Sequence, residues 1–153
     1  MSEATVRAQI LATMLAIMDI GRVHDWERVL RSQADLLNAL TATIEGETVV
    51  RGWTIRRETT PTDQDSHATM RRMHHYRIRG LMQVDDANAS EKVFQDLVES
   101  IYQAFRDDHN LGGTCITSDP LQIEAVDYEE IENEVFHWAD LLLVVHERDF
   151  IGS

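Results

Sequence analysis

The chain has 153 residues, 43% of them hydrophobic, a single cysteine and a net charge of −13 at pH 7. Length and apolar content fit one domain with a core that needs no covalent staples, and a lone thiol, Cys115, excludes an intrachain disulfide and fits a reducing compartment. The acidic balance disfavours non-specific binding to nucleic acid or an anionic membrane, and the longest apolar run, Leu141 to Val145, is far short of the roughly 18–20 residues that span a bilayer.

Glu3 stands early and no basic-then-apolar leader follows it, so the expected compartment is cytoplasmic. From Ala4 to Asp19, apolar residues at Val6, Ile10, Leu11, Met14, Leu15 and Met18 recur in steps of three and four. That spacing predicts an amphipathic helix, with Gly21 as its stop. Asp25 can cap a second helix from about Trp26 to Ile44, with the stripe Val29, Leu30, Leu36, Leu37, Leu40, Ile44 and a stop at Gly46.

The period then changes to two. Val49 to Glu58 predicts a strand with Val49, Trp53 and Ile55 on one side. Met73 to Val84 predicts another, with Tyr76, Ile78, Gly80, Met82 and Val84 on one face and His75, Arg77, Arg79 and Gln83 on the other. Between them, Thr59 to Arg72 is polar, contains Pro61 and reads as a long loop of the functional or disordered kind.

Asn88-Ala-Ser-Glu91 reads as a capping box opening a third helix to about Asp107, with the stripe Val93, Phe94, Leu97, Val98, Ile101, Tyr102 and Phe105. Leu111-Gly112-Gly113 ends it. A strand follows over about Thr114 to Asp127, at an edge or interrupted at Pro120, because proline cannot donate to a ladder. Tyr128 to Glu134 reads as an acidic turn. Val135 to Glu147 is apolar on both faces and predicts a central strand covered on both sides. The expected fold is α+β: a single domain, residues 1–153, with one antiparallel sheet of about four strands and about three helices packed on it.

Little in this pattern carries catalytic chemistry, and the expectation is a protein that is not an enzyme and holds no metal or cofactor. The glycines of Leu111-Gly112-Gly113 close a helix instead of opening one, so they offer no helical N–H groups to a phosphate. His74 and His75 are adjacent, and His137 and His146 are nine apart, so neither pair shares a strand face. Cys115 reads as a small core thiol, and Asp85-Asp86, Asp107-Asp108 and Glu129-Glu130 as solvated turn acids.

The charge is unevenly spread. Met1 to Val84 holds 11 arginines and 10 acidic residues, whereas Asp85 to Ser153 holds 17 acidic residues against Lys92, Arg106 and Arg148. One reading is a solvated acidic surface; the other is a subunit whose arginine-bearing edge meets a neighbour's acidic edge, a heterologous contact that can close a ring. Arginine suits such contacts because its planar fork binds carboxylates in a bidentate way. Candidate interface residues are Arg56, Arg57, Arg71, Arg72, Arg77 and Arg79 around the strand pair, and Asp140, a carboxylate on an apolar strand. Solvent, if the face is open at that point, Arg77 or Arg79 within the fold, or an arginine of another subunit would answer Asp140.

Ile20-Gly21-Arg22-Val23-His24-Asp25-Trp26-Glu27-Arg28 and Val50-Arg51-Gly52-Trp53-Thr54-Ile55, followed by Phe94 to Phe105, Leu111-Gly112-Gly113, Pro120-Leu121-Gln122 and Val135 to Glu147, together resemble the tail-terminator (tail-completion) proteins of the tailed-bacteriophage neck. The resemblance implies a ring of copies, commonly a hexamer, that caps the tail tube, stops its growth and meets the head–tail connector protein. DNA would pass the bore without specific binding, and the site of action would be the virion, assembled in the host cytoplasm. Thr59 to Arg72 would be a segment ordered by assembly. The alternatives are another neck or head-completion protein, or a non-viral adaptor domain.

Overall fold

The computed structural model describes residues 2–150. Its three α-helices are α1 (Glu3–Leu15), α2 (Gln33–Ala39) and α3 (Ser90–Asp107). Its strands are β1 (Arg22–His24), β2 (Thr41–Ile44), β3 (Glu47–Thr59), β4 (Thr62–Gln64), β5 (Thr69–Gln83), β6 (Thr117–Ser118), β7 (Gln122–Ile131) and β8 (Glu134–Phe150).

The expected sheet of about four antiparallel strands is corrected: eight strands form one mixed sheet in the order β1-β3-β5-β8-β6. β2 also pairs β3, β4 pairs β5 and β7 pairs β8. β1 runs parallel to β3, and the other pairs are antiparallel. The spine is β5 against β8, in unbroken register from Thr69↔Phe150 to Gln83↔Phe136. Four of the added strands have four residues or fewer, too short for a period of two to show in sequence.

α1 and α3 cover one face. Val6, Ile10 and Met14 from α1, and Phe94, Leu97, Val98, Ile101 and Phe105 from α3, meet Trp53, Ile55, Tyr76, Ile78, Leu141, Leu143 and Val145 of the sheet. At each of these strands the next residue points the other way. Leu81 and Phe136 therefore form a second, smaller core on the opposite face with Leu40 and Ile131, and Leu36 and Leu37 of α2 pack against it. β8 is thus central and covered on both faces at this end, as its sequence predicts.

The long second helix is corrected too. Ser32, whose hydroxyl accepts the Asp35 N–H, caps a helix of only seven residues, and the expected cap Asp25 lies before an irregular stretch. Val23 is drawn into the core beside Trp53 as part of β1, and His24 Nε2 lies 2.7 Å from the Ala39 carbonyl. Thr41 and Thr43, β-branched, join β2 instead of extending the helix. Gly46 is not a helix stop. With Glu45 it forms the two-residue turn of the β2–β3 hairpin, both residues at positive φ (51° and 82°).

The Thr59–Arg72 loop is a folded hairpin arm: β4 pairs with β5 from Thr62↔Arg72 to Gln64↔Met70, leaving only a short tip. The Asn88 capping box does not form. Ala89, left-handed at φ 54°, precedes α3 with no side-chain cap, while the Ser90 hydroxyl accepts the Asp85 N–H. The strand expected from Thr114 is interrupted at Pro120, giving β6 and β7. The acidic turn shrinks to Glu132-Asn133, since Tyr128 to Ile131 pair with β8.

Candidate functional site

The outer sheet face, away from α1 and α3, carries a row of charges across four strands, β3, β5, β8 and β7. Arg56 lies 3.0 Å from Glu27 and 2.9 Å from Glu58. Arg77, directly across from Arg56 in the β3–β5 register, reaches Glu58 at 3.3 Å, Asp140 at 3.2 Å and Glu124 of β7. Burial pulls the Arg77 guanidinium down, but its hydrogen bonds to Glu58 and Glu124 and the charge of Asp140 outweigh that and hold its pKa above the usual value. The same bonds, from Arg77 first and Arg56 second, keep the Glu58 carboxyl below its ordinary range. Asp140, the carboxylate set among apolar strand neighbours, is therefore answered inside the chain by Arg77, with Arg79 at 3.8 Å.

The remaining arginines singled out by sequence sit at the far end of the sheet. Arg72 lies 3.5 Å from Glu147 and 3.7 Å from Asp149. Arg57 lies 3.8 Å from Glu3 of α1. Arg71 joins no ion pair among the described residues, and its Nε is buried without a hydrogen-bond partner there. Sequence reasoning thus grouped residues that the fold separates onto two faces: Arg56, Arg77, Arg79 and Asp140 on the outer one, Arg57 and Arg72 around a buried polar cluster on the inner one.

That cluster was not legible in sequence. His74 and Glu147 are both almost fully buried, with His74 Nε2 3.7 Å from the Glu147 carboxylate. Arg57, which can only donate, points an N–H at His74 Nδ1 at 3.4 Å, and the Thr60 hydroxyl lies 3.2 Å from the same atom. Nδ1 is thus the acceptor and the ring proton sits on Nε2, toward Glu147. Burial first, then Arg72 and Arg57, push the His74 pKa down to about 4. Burial, with Asp149 next, pushes the Glu147 carboxyl up.

The nucleophile candidates are poorly placed for chemistry. Cys115 is buried, and burial raises its thiol to about 11. The Ser90 hydroxyl lies 2.8 Å from His137 Nε2, a pair absent from any short motif because 47 residues separate its members. Ser90 already accepts the Asp85 N–H, and the ring of His137 stacks on Phe94 and is tilted against Tyr128. Burial keeps His137 below its usual pKa. The pair pins the start of α3 to β8.

Two exposed regions remain. Between β1 and α2 the chain displays Trp26, Val29 (85% exposed) and Leu30 beside Arg28 and Arg31. The Arg28 guanidinium sits 5.3 Å from the Trp26 ring centroid. At the other side of the sheet, β7 pairs among the described residues only with β8, and its hairpin exposes Tyr128 and Val135 among Asp127, Glu129, Glu130, Glu132 and Glu134. A groove of about 270 Å³ on the outer face is lined by Glu27 and Arg28 of the first region, by Glu129 of the second, and by Leu36, Leu40, Leu81 and Trp138. Among the described residues, no helix is long and apolar enough to cross a membrane, and no group of three or more metal-ligating side chains comes together. The chain matches no protein-family model and no curated protein.

Proposed function

We propose that this chain is a structural subunit that works by associating with copies of itself, and that the assembly is the terminator ring of a phage tail. The observation that carries the reading is the open edge at β7. A ten-residue strand is paired on one side only among the described residues, and its exposed side chains are mostly polar and acidic. Exposed sheet edges invite addition of another chain, and native proteins commonly screen them with charge. Here the screen is anionic, so it repels like edges and admits a cationic surface. Several first-half arginines are consumed by second-half carboxylates across β5 and β8, which leaves a cationic stretch after β1 and the acidic β7–β8 hairpin as two different surfaces of one subunit. A subunit with two unlike complementary surfaces associates head to tail, which closes into a ring when the rotation permits. In this reading the ring offers one face to the tail tube protein and the other to the head–tail connector, and a wall rich in carboxylates lets DNA slide through without sticking.

Light scattering at low and moderate salt, alone and with purified phage tail tubes, tests this. The expected result is a ring, or a cap at one tube end, that weakens as salt rises because screening shortens the reach of the charges. A monomer that ignores tubes at every salt concentration sinks the reading.

A further inference from the structure

The surface that fits the acidic β7 edge does not contain the arginines that sequence singles out. Arg56 and Arg77 are engaged by Glu27, Glu58, Glu124 and Asp140 of their own chain, and Arg72 by Glu147 and Asp149. Arg22, Arg28 and Arg31, in contrast, take part in none of the ion pairs among the described residues. All three lie on or beside the irregular stretch between β1 and α2, which also carries exposed Trp26, Val29 and Leu30. Arg28 sits over the Trp26 ring and 3.4 Å from His24 Nδ1, but like the other two it has no carboxylate partner among the described residues, and such cations interleaved with solvent-facing apolar side chains are the composition of an interface and not of a solvated loop.

The complementary composition lies across the sheet. On the β7–β8 hairpin, Glu129, Glu130, Glu132 and Glu134 enter no ion pair among the described residues; Glu129 flanks the open edge on the outer face, and Glu130 flanks it on the α3 face together with Tyr128 and Val135, which are about half exposed (55% and 47%). Each patch has what the other lacks: an aromatic and two aliphatic residues with guanidinium groups on one, an aromatic and an aliphatic residue with carboxylates on the other.

We infer that the Trp26–Arg31 segment of one copy docks on the β7–β8 hairpin of the next, Arg28 and Arg31 meeting Glu129 and Glu130 and the Trp26, Val29 and Leu30 side chains packing against Tyr128 and Val135. The inference rests on the self-assembly reading and specifies its contact. The two patches belong to different elements, the irregular stretch after β1 and the β7–β8 hairpin, so a copy cannot use one surface for both roles. The contact is heterologous and propagates from copy to copy.

Charge exchange tests it on the full chain, followed by light scattering at low salt. R28E/R31E and E129R/E130R should each weaken association about tenfold or more, and the protein carrying all four changes should recover to within about threefold of the parent. All four residues lie at the surface and circular dichroism checks that each variant is folded; V29E, which keeps every existing charge, should weaken association as well. Loss in the two double variants without recovery in the quadruple one, or no loss in either, overturns the contact while the parent's own assembly stands. A parent that stays monomeric both alone and with tail tubes overturns the contact and the self-assembly reading together.

Discussion

Trp53 lies flat over a strand partner that has no side chain. Gly80 faces it in the β3–β5 register, and a Cβ there would sit 2.2 Å from the indole ring. The same indole stacks on Phe94 of α3 and donates to the Ile20 carbonyl at 2.9 Å. Both ring contacts fail if the ring lifts, so G80A should cost about 1–3 kcal/mol, read by chemical denaturation, as overpacking of a filled core does. His74 sets a pH dependence. Its folded pKa, about 4, lies below the ordinary 6.5, so the folded state resists the proton that the unfolded chain takes up. The stability this contributes is fully present above pH 6.5 and is lost as pH falls from there toward 4. Glu147, raised by burial, acts in the opposite sense, since acid relieves the cost of its buried charge. Comparing the parent with H74Q removes most of that common background. The stability difference between them should fall by up to about 3 kcal/mol across this window, and a pH-independent difference would show that His74 is not held neutral by its surroundings.

At the scale of elements, hairpin turns decide the register. Glu45-Gly46 and Glu132-Asn133 are two-residue turns with positive φ throughout, the geometry that matches strand twist and favours asparagine followed by glycine. Glutamate at the first position is strained there, so E45N should stabilise the protein by about 0.5 kcal/mol in thermal or chemical denaturation; a loss of stability would mean that the attraction between Glu45 and Arg51 matters more. α2 shows propensity overruled. Val29, Leu30, Leu36, Leu37, Leu40 and Ile44 are spaced for one long amphipathic helix, yet only Gln33–Ala39 is helical and Ile44 ends in β2. An amphipathic stripe becomes a helix when something covers it. In this chain a sheet face covers Leu36, Leu37 and Leu40, while Val29 is 85% exposed among the described residues.

For the molecule as a whole, the consequence is an uneven surface: arginines without carboxylate partners and exposed apolar residues after β1, and carboxylates without cationic partners along the β7–β8 hairpin, both among the described residues. Association through such patches should lose affinity steadily as ionic strength rises; equal native mass at low and high salt would point to an apolar contact instead. The outline of this molecule was legible where the signals are local and long. α1, α3, β3, β5 and β8 follow from periods of 3.6 and 2 because each buries one continuous face or, in β8, two. The break at Pro120 follows from a missing N–H. What the tertiary structure alone decided depends on partners distant in sequence. β1 and β4 are strands only because β3 and β5 offer them an edge. Asp140 is neutralised by an arginine 63 residues away on the next strand. His74 and Glu147, ordinary polar residues in sequence, are buried because their strands pair beneath α1. Composition by itself determined that the two halves differ in charge. Which of those charges are consumed within the fold, and which are left to meet something else, was decided by strand order, since only that brings a given arginine within reach of a given carboxylate.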